Sequence, residues 1–236
     1  MRERYLLWTG ARLLVAAAIV AWAVSYLGTG SGEKDFQKTL DAMKQVHSFR
    51  VASSANPNSN LHNELLVEVD CDHDILHRHW KVVQSNVNPP SVMDQDNTYV
   101  AGKAYDHKSD GTWLPAQYSS AGQSAKGYCN MLAQGSDSYL LPEISTMIRR
   151  GIIQKGDKKT VNGVRCREYL VTIRGGTHGL EHDTLCVGVD DHLPYEMTTD
   201  WDNSRSSYSD YNTPIRIDLP EPSVQPASAN TSSASQ

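Results

Sequence analysis

Residues 165–189 read RCREYLVTIRGGTHGLEHDTLCVGV, and this stretch decides the fold class. Apolar side chains occupy every second position in two runs on either side of the loop RGGTHGLEHD, as they do in a pair of half-buried antiparallel strands. If Cys166 lies directly opposite Cys186, the turn centres on Gly176, beside a second glycine. Both cysteines then share the sheet face opposite the apolar residues, so the stretch predicts a cross-strand disulfide.

Alternating runs recur on both sides of this hairpin. They lie at 65–69, 76–82, 98–100, 195–201 and 215–219. The pair Asn162-Gly163 marks a further tight hairpin turn. The sequence therefore predicts an antiparallel sheet that occupies most of the chain between residues 48 and 220.

Two segments carry apolar residues at helical spacing instead. They are residues 33–46, with Phe36, Leu40, Met43 and Val46, and residues 139–148, with Leu140, Ile144 and Met147 or Ile148. Each segment has one apolar face, so each is predicted to be an amphipathic helix that covers part of the sheet. The polar, glycine-rich stretch 118–138 between them is predicted to be a long loop. The fold class is therefore α+β.

The first 32 residues carry the features of an export signal. Arg2, Arg4 and Arg12 precede the apolar run LLVAAAIVAWAVSYL at 13–27, and the small residues GTGSG follow it. As a helix, this run spans only about 22 Å, short of the roughly 30 Å hydrocarbon core. The segment is either cleaved as a signal peptide or retained as a membrane anchor. In both cases we expect an exported protein, periplasmic or anchored to the inner membrane with its domain outside the cytoplasm.

The remaining chain is expected to form one domain and a tail. Residues 33–221 are enough for a domain with its own core, and the Ser/Ala/Pro-rich residues 222–236 are predicted to be disordered. The four cysteines are an even number, which in an oxidising compartment favours two disulfides. With Cys166 and Cys186 paired, elimination leaves Cys71 with Cys129.

The charge pattern argues against nucleic acid as a partner. The chain has 27 acidic and 22 basic residues, mixed along its length, and a net charge of −5. Binding to a phosphate backbone needs a concentrated basic face. No such face is visible in the sequence.

Histidines are the most tempting candidates for chemistry. His77 and His79 lie two positions apart, near His73, and would share one strand face as metal ligands can. They occupy the polar side of an amphipathic strand, however, where titratable surface residues are expected. The acidic run 70–74 imitates a calcium loop, but Ile75 stands where that loop needs glycine. We therefore predict no metal, no cofactor and no catalytic residue, and a metal-dependent enzyme is the least favoured function.

The order of several short phrases resembles a known superfamily. They are HSFR at 47–50, TYV at 98–100, NGVRCREY at 162–169, LPYEM at 193–197, YN at 211–212 and IRIDLP at 215–220. Together with the two helices, this order is similar over residues 34–220 to LolA-like periplasmic lipoprotein carriers and LppX-like lipid-binding lipoproteins. The chain departs from the lipoproteins because no lipobox cysteine follows its apolar run. It departs from the soluble carrier in its two expected disulfides and its possible anchor.

The resemblance implies a strongly curved antiparallel sheet, a half-open barrel, with helices covering its concave face over an apolar cavity. The candidate cavity-lining residues are Leu40, Met43, Leu65, Val67, Trp80, Tyr99, Trp113, Leu140, Ile144, Tyr169 and Val171. Shape defines such a cavity, so no single residue carries a family function. The implied function is extracytoplasmic, non-enzymatic binding of a lipid, an acyl chain (a lipoprotein's included) or another apolar ligand. The alternative is a membrane-tethered interaction or sensor domain with a filled core, which binds only protein.

Overall fold

The computed structural model describes residues 32–58, 60–116, 124–134, 144–176, 179–200 and 202–216. The export segment, the tail from residue 222, Leu140 and residues 217–219 of the expected last strand lie outside the described residues. Within the described ranges, no helix combines the length and apolar character that crossing a membrane requires.

The strands of the described chain form one 11-stranded antiparallel sheet, as predicted. They are β1 Ser48–Asn58, β2 Leu61–Asp70, β3 Ile75–Gln84, β4 Ser91–Val100, β5 Lys103–His107, β6 Trp113–Pro115, β7 Gly151–Val161, β8 Val164–Gly176, β9 Gly179–Gly188, β10 Pro194–Thr199 and β11 Arg205–Ser209. The order across the sheet is β6-β5-β4-β3-β2-β1-β11-β10-β9-β8-β7. Two runs of consecutive hairpins are thus joined by the pairing of β1 with β11. The sheet does not close, because β6 and β7 are its two edges.

The hairpin of β8 and β9 is present, but its register differs from the expected one. Tyr169 lies opposite Leu185, and Cys166 lies opposite Gly188 instead of Cys186. Gly176 pairs with Gly179 at the turn, and after a one-residue irregularity between Arg174 and Gly176 the pairing stays two residues from the expected register. Because side chains alternate with a period of two, this shift keeps every residue on its expected face. The predicted disulfide is therefore confirmed, but it is diagonal, with Cα atoms of the two cysteines 5.6 Å apart.

In the described ranges three helices accompany the sheet: α1 at residues 32–43, α2 Ala125–Gln134 and α3 Ile144–Arg150. The first and third lie in segments predicted to be helical. The second corrects the prediction of a continuous loop over 118–138. The Ser124 hydroxyl oxygen accepts a hydrogen bond from the Gly127 N–H at 3.0 Å, which caps the helix. Ala125 and Tyr128, one turn apart, are buried against the sheet.

The disulfide between Cys71 and Cys129 is also confirmed, with Cα atoms 6.2 Å apart. It joins the end of β2 to α2. In the same place, the Lys126 N–H donates to the Asp74 carboxylate at 3.3 Å. These two contacts hold α2 against the hairpin of β2 and β3.

The last predicted strand, 215–219, is not formed in its described part, since residues 215–216 carry no strand. Its place in the sheet is taken by β11. The sequence of β11, RSSYS, has no alternating apolar residues that would predict a strand. Only Tyr208 of β11 is buried, at 1% exposure. The strand is positioned by its neighbours β1 and β10, which hydrogen-bond to its two edges.

Side chains alternate between two faces of the sheet. The concave face is the one that the helices cover, and its central residues Val51, Val67, Leu76, Val171 and Leu185 are fully buried. The convex face carries the intervening side chains, including Arg50, Glu68, His77 and Asp96. Burial of the apolar rows beneath the helices stabilises the domain at about 25 cal/mol per Å² of apolar surface.

Candidate functional site

Beneath α1 and α3 the concave face is closely packed. Phe36 and Met43 of α1 are at most 2% exposed, and Ile144 and Met147 of α3 are at most 1% exposed. The ring of Phe36 meets that of Tyr169 edge-on, with centroids 5.1 Å apart, a favourable aromatic geometry. This part of the face is a filled core.

A polar latch fixes α1 to the sheet beside this core. The Asp35 carboxylate accepts hydrogen bonds from the Tyr169 hydroxyl at 2.8 Å and from Lys155 Nζ at 2.7 Å. Burial alone would raise the pKa of Asp35, but the hydrogen bonds from Lys155 and Tyr169 outweigh it and lower the pKa below its ordinary value. Burial, together with the same carboxylate, raises the pKa of Tyr169. The latch is therefore an ionised carboxylate held by two donors.

Over β3–β6 the concave face opens into a cavity of about 860 Å³. Its lining includes Arg78, Gln95, Asn97, Tyr99, Asp106, Leu114 and Ala116, which alternate onto this face. Asn97 Nδ2 donates to Asp106 Oδ1 at 2.7 Å within it. The volume lies within the range of small-molecule sites. Tyr99 belongs both to this lining and to the residues packed against the core, so the cavity borders the core.

Arg78 is the unusual residue of this cavity. It occupies a concave-face position of β3 between Leu76 and Trp80, directly opposite the buried Val67. Its guanidinium carbon lies 5.4 Å from the centroid of the Trp80 ring, as in a cation–π contact. Its Nε atom is buried and has no hydrogen-bond partner in the described part of the chain.

The structure separates the predicted lining residues into three groups. Met43, Val67, Ile144, Tyr169 and Val171 are buried in the core, and Leu40, Leu65 and Tyr99 pack against it while partly exposed. Trp80 lies on the concave face, half-buried beside Arg78. Of the described candidates, Tyr99 alone lines the cavity of about 860 Å³.

Trp113, predicted to line the cavity, lies on the convex face in this structure. In β6 it lies opposite His107, which in turn lies opposite Asp96 on the convex face. Its ring stacks on that of His107 with centroids 4.4 Å apart. A strand of three residues is too short for its alternation to show which residue faces inward.

Arg78, Asn97 and Asp106 were not predicted as lining residues. For Arg78, the alternation of apolar residues in β3 indicates the inward position. In the run LHRHWKV of β3, the apolar positions 76, 80 and 82 share their face with position 78. A charged residue at an inward position of an amphipathic strand is the kind of exception that marks a site. Asn97 and Asp106 follow from the cross-strand pairing, which the sequence does not reveal.

A row of alternating charges crosses the convex face. Arg50 bridges Asp210 and Glu68, with Nη1 2.6 Å from Asp210 Oδ2 and Nε 2.8 Å from Glu68 Oε1. His77 continues the row, with Nδ1 2.8 Å from Glu68 Oε2 and Nε2 2.7 Å from Asp96 Oδ1. His107 Nδ1 lies 2.9 Å from Asp96 Oδ2 at the far end. We call this row, from Asp210 to His107, the charge ladder.

His77 carries a positive charge within the ladder. Both of its ring nitrogens face carboxylate oxygens, so both must donate. Burial would lower the pKa of His77, but the hydrogen bonds to Glu68 and Asp96 outweigh it and raise the pKa above its ordinary value. In the described ranges, no group of three or more His, Cys, Asp or Glu side chains is arranged to hold a metal ion. The histidines singled out in the sequence bind carboxylates in this structure.

A second, shallower groove of about 480 Å³ lies on the convex face. Small side chains form its floor, among them Ala52, Ser54 and Ser207, and Lys81 and Arg205 stand at its sides. Arg205 is held by the buried Glu196 carboxylate. This groove faces away from the helices and from Arg78.

No protein-family model and no curated protein sequence matches the chain. Among solved structures, LprF from Mycobacterium bovis is similar with a TM-score of 0.60, over 82% of this chain and 98% of LprF, at 13% sequence identity. The chain has the LolA/LppX-like fold. A LolA superfamily protein from Nitrosomonas europaea gives a TM-score of 0.24, at 12% identity over 80% of this chain and 94% of that protein.

A chain of the Pseudomonas aeruginosa MucA/MucB complex is also similar in structure, with a TM-score of 0.40 at 15% sequence identity. The match covers 78% of this chain and 59% of that one. This chain therefore spans about three fifths of the length of that relative.

Proposed function

We propose that the chain is a non-enzymatic, extracytoplasmic binding protein that holds the apolar part of a ligand, such as an acyl chain, on its concave face. The observation that carries this proposal is the cavity of about 860 Å³ over β3–β6, which borders the packed core. Each methylene group buried there would contribute about 0.8 kcal/mol. The close packing of the core beneath α1 and α3 supports the β3–β6 end as the ligand site.

The resemblance to LolA-like and LppX-like proteins supports the same site. In that superfamily the acyl chain lies between the concave face and the covering helices, and this chain shares the fold. Its apolar run at 13–27 supports a location outside the cytoplasm. If the run is cleaved, the domain of residues 33–221 is free to carry a ligand. If the run is retained, the domain presents its ligand at the membrane surface.

A matched pair of substitutions tests where the ligand lies. Ala116→Trp places an indole in the cavity over β3–β6, and Ala52→Trp places the same group in the convex groove of about 480 Å³. The full chain is purified from membranes in a mild non-ionic detergent and examined by native mass spectrometry. We expect co-purified acyl compounds on the wild type and on Ala52→Trp, and their loss from Ala116→Trp. Loss from Ala52→Trp alone would place the ligand on the wrong face and contradict the proposal.

A protein-binding domain without a small ligand is the second candidate. The solid packing under α1 and α3, where Phe36 and Ile144 are fully buried, favours it. It predicts that the wild type carries no acyl compound in repeated preparations from membranes. In that case wild type and Ala116→Trp would each show only the mass of the bare chain.

A further inference from the structure

We propose that Arg78 binds the anionic headgroup of an amphiphilic ligand, a carboxylate or a phosphate ester, whose apolar chain lies along the concave face. This inference rests on the proposed function and adds the chemical class of the ligand. Its basis is a cationic side chain that lines the cavity over β3–β6 without a counter-ion among the described residues.

The position of Arg78 in the sheet places its charge at the border between core and cavity. Its neighbours along β3 on the same face are the fully buried Leu76 and the half-buried Trp80. Across the strands it lies between Val67 and Asn97. Tyr128 of α2 is also near, since the charge of Arg78 opposes the rise that burial causes in the pKa of Tyr128. From Arg78 an apolar chain would extend over Tyr99, Leu114 and Ala116, the exposed or partly exposed apolar side chains of the cavity lining.

Arg78 lacks a partner within the described ranges, unlike Arg50 and Arg205 of the same sheet. Arg50 is paired with Glu68 and Asp210, and Arg205 is paired with Glu196. No hydrogen bond or ion pair connects Arg78 to a described residue, and its buried Nε is unsatisfied. A buried donor without a partner is costly, so an oxygen anion supplied by a ligand would satisfy it.

Three carboxylates line the cavity, those of Asp94, Asp96 and Asp106. Each is already engaged: Asp94 faces His79, and Asp96 faces His77 and His107. Asp106 accepts a hydrogen bond from Asn97 at 2.7 Å, and its other oxygen lies 3.5 Å from Lys108 Nζ. Asn97 lies between Asp106 and Arg78 in the cross-strand row. The cavity therefore offers an anion the guanidinium of Arg78, while its three carboxylates are held by other donors.

Binding of matched amphiphiles tests the inference on the full chain, held in one concentration of a non-ionic detergent. The probes are dodecanoic acid, its methyl ester, dodecyl phosphate and inorganic phosphate, each titrated by calorimetry. Because charge-assisted hydrogen bonds are about twice as strong as neutral ones, we expect the acid and the alkyl phosphate to bind about 10- to 100-fold more tightly than the ester. The two anionic probes separate a fatty-acid source from a phospholipid source.

Two variants assign this preference to Arg78. In Arg78→Gln the acid and the alkyl phosphate should weaken to the level of the ester, while the ester itself is unchanged. In Arg78→Lys, which keeps the charge, most of the preference should remain. Circular dichroism of both variants must match the wild type, and the unchanged affinity for the ester serves as an internal check on folding.

Three results would overturn the inference. Equal affinity of the wild type for acid and ester refutes the headgroup site but leaves the proposed function standing. Absence of binding for every dodecyl probe refutes both. Binding of inorganic phosphate as tight as that of dodecyl phosphate would show an anion site that is independent of an apolar chain.

Discussion

Removing the central cation of the charge ladder should make the stability of the domain less dependent on pH. In His77→Gln the imidazolium is lost, and with it the donors that face Glu68 Oε2 at 2.8 Å and Asp96 Oδ1 at 2.7 Å. The His77 side chain is only 18% exposed, so solvent screens these contacts little. Glu68 keeps its hydrogen bonds from Arg50, and Asp96 keeps His107.

The expected loss follows from these two hydrogen bonds. Hydrogen bonds to charged groups contribute about 1.5–3 kcal/mol each, and the cost of burying the imidazolium offsets part of this. We therefore expect the free energy of unfolding to fall by about 2–3 kcal/mol at pH 5.5. The pKa of His77 is raised in the folded state, so its contribution is full below the unfolded value of about 6.5 and is lost as the pH rises through the folded pKa. By pH 9 wild type and variant should differ little.

Urea denaturation of the full chain, followed by near-UV circular dichroism at pH 5.5, 7 and 9, measures this difference. His73→Gln is the matched control. His73 Nδ1 also lies 2.8 Å from a carboxylate, that of Asp70, and the pKa of His73 is raised by it, but its side chain is 73% exposed. Its removal should change stability little at any of these pH values. If His77→Gln lost as much stability at pH 9 as at pH 5.5, the assignment of a charged His77 would be refuted.

Two further predictions concern how the elements are joined. Replacing both cysteines of the Cys71–Cys129 bridge, which closes 58 residues, with serine should lower the free energy of unfolding by about 4 kcal/mol by the chain-entropy relation. The same replacement at Cys166 and Cys186, which close 20 residues, should lower it by about 3 kcal/mol. Urea denaturation of both variants measures the two losses, and a larger loss at Cys166–Cys186 would contradict the prediction. Asp35→Asn should lower the free energy of unfolding by about 1–2 kcal/mol because it weakens the latch on α1. A double-mutant cycle with Tyr169→Phe checks the hydrogen bond between Asp35 and Tyr169, and strictly additive effects would show that this bond contributes nothing.

The sheet could be predicted because its apolar rows alternate clearly. Val67, Val69 and Leu76 signal their strands by hydrophobicity alone, and the structure buries all three completely. Both disulfides followed from the hairpin around residues 165–189 and from elimination. The two-residue error in its register left them intact, because an even shift preserves the faces.

The unpredicted parts are those whose position depends on neighbours. The strand β11 is polar and is held by β1 and β10. Among the side chains of α2 whose burial is described, Ala125 and Tyr128 are the buried ones. The cavity lining was predicted from apolar and aromatic residues, whereas most of the actual lining is polar. Arg78 illustrates the reason. The alternation of β3 predicts that position 78 faces inward, whereas the charge of arginine predicts that it faces solvent, and the sequence alone does not decide between the two.

The strand order also determines which parts of the sheet can form first during synthesis. The first run of hairpins, β1–β6, holds α2 through the Cys71–Cys129 bridge, and the second run, β7–β11, contains the other bridge. A chain emerges N-terminus first during synthesis, so the first run can pair and oxidise before the second exists, without exchanging cysteines with it. The exception is α1, whose Asp35 and Phe36 contact Lys155 and Tyr169. Of the described helices α1 is made first, yet the ring of Phe36 can meet that of Tyr169 only once β8 has been made, so the packing of α1 is completed after the second run of hairpins appears.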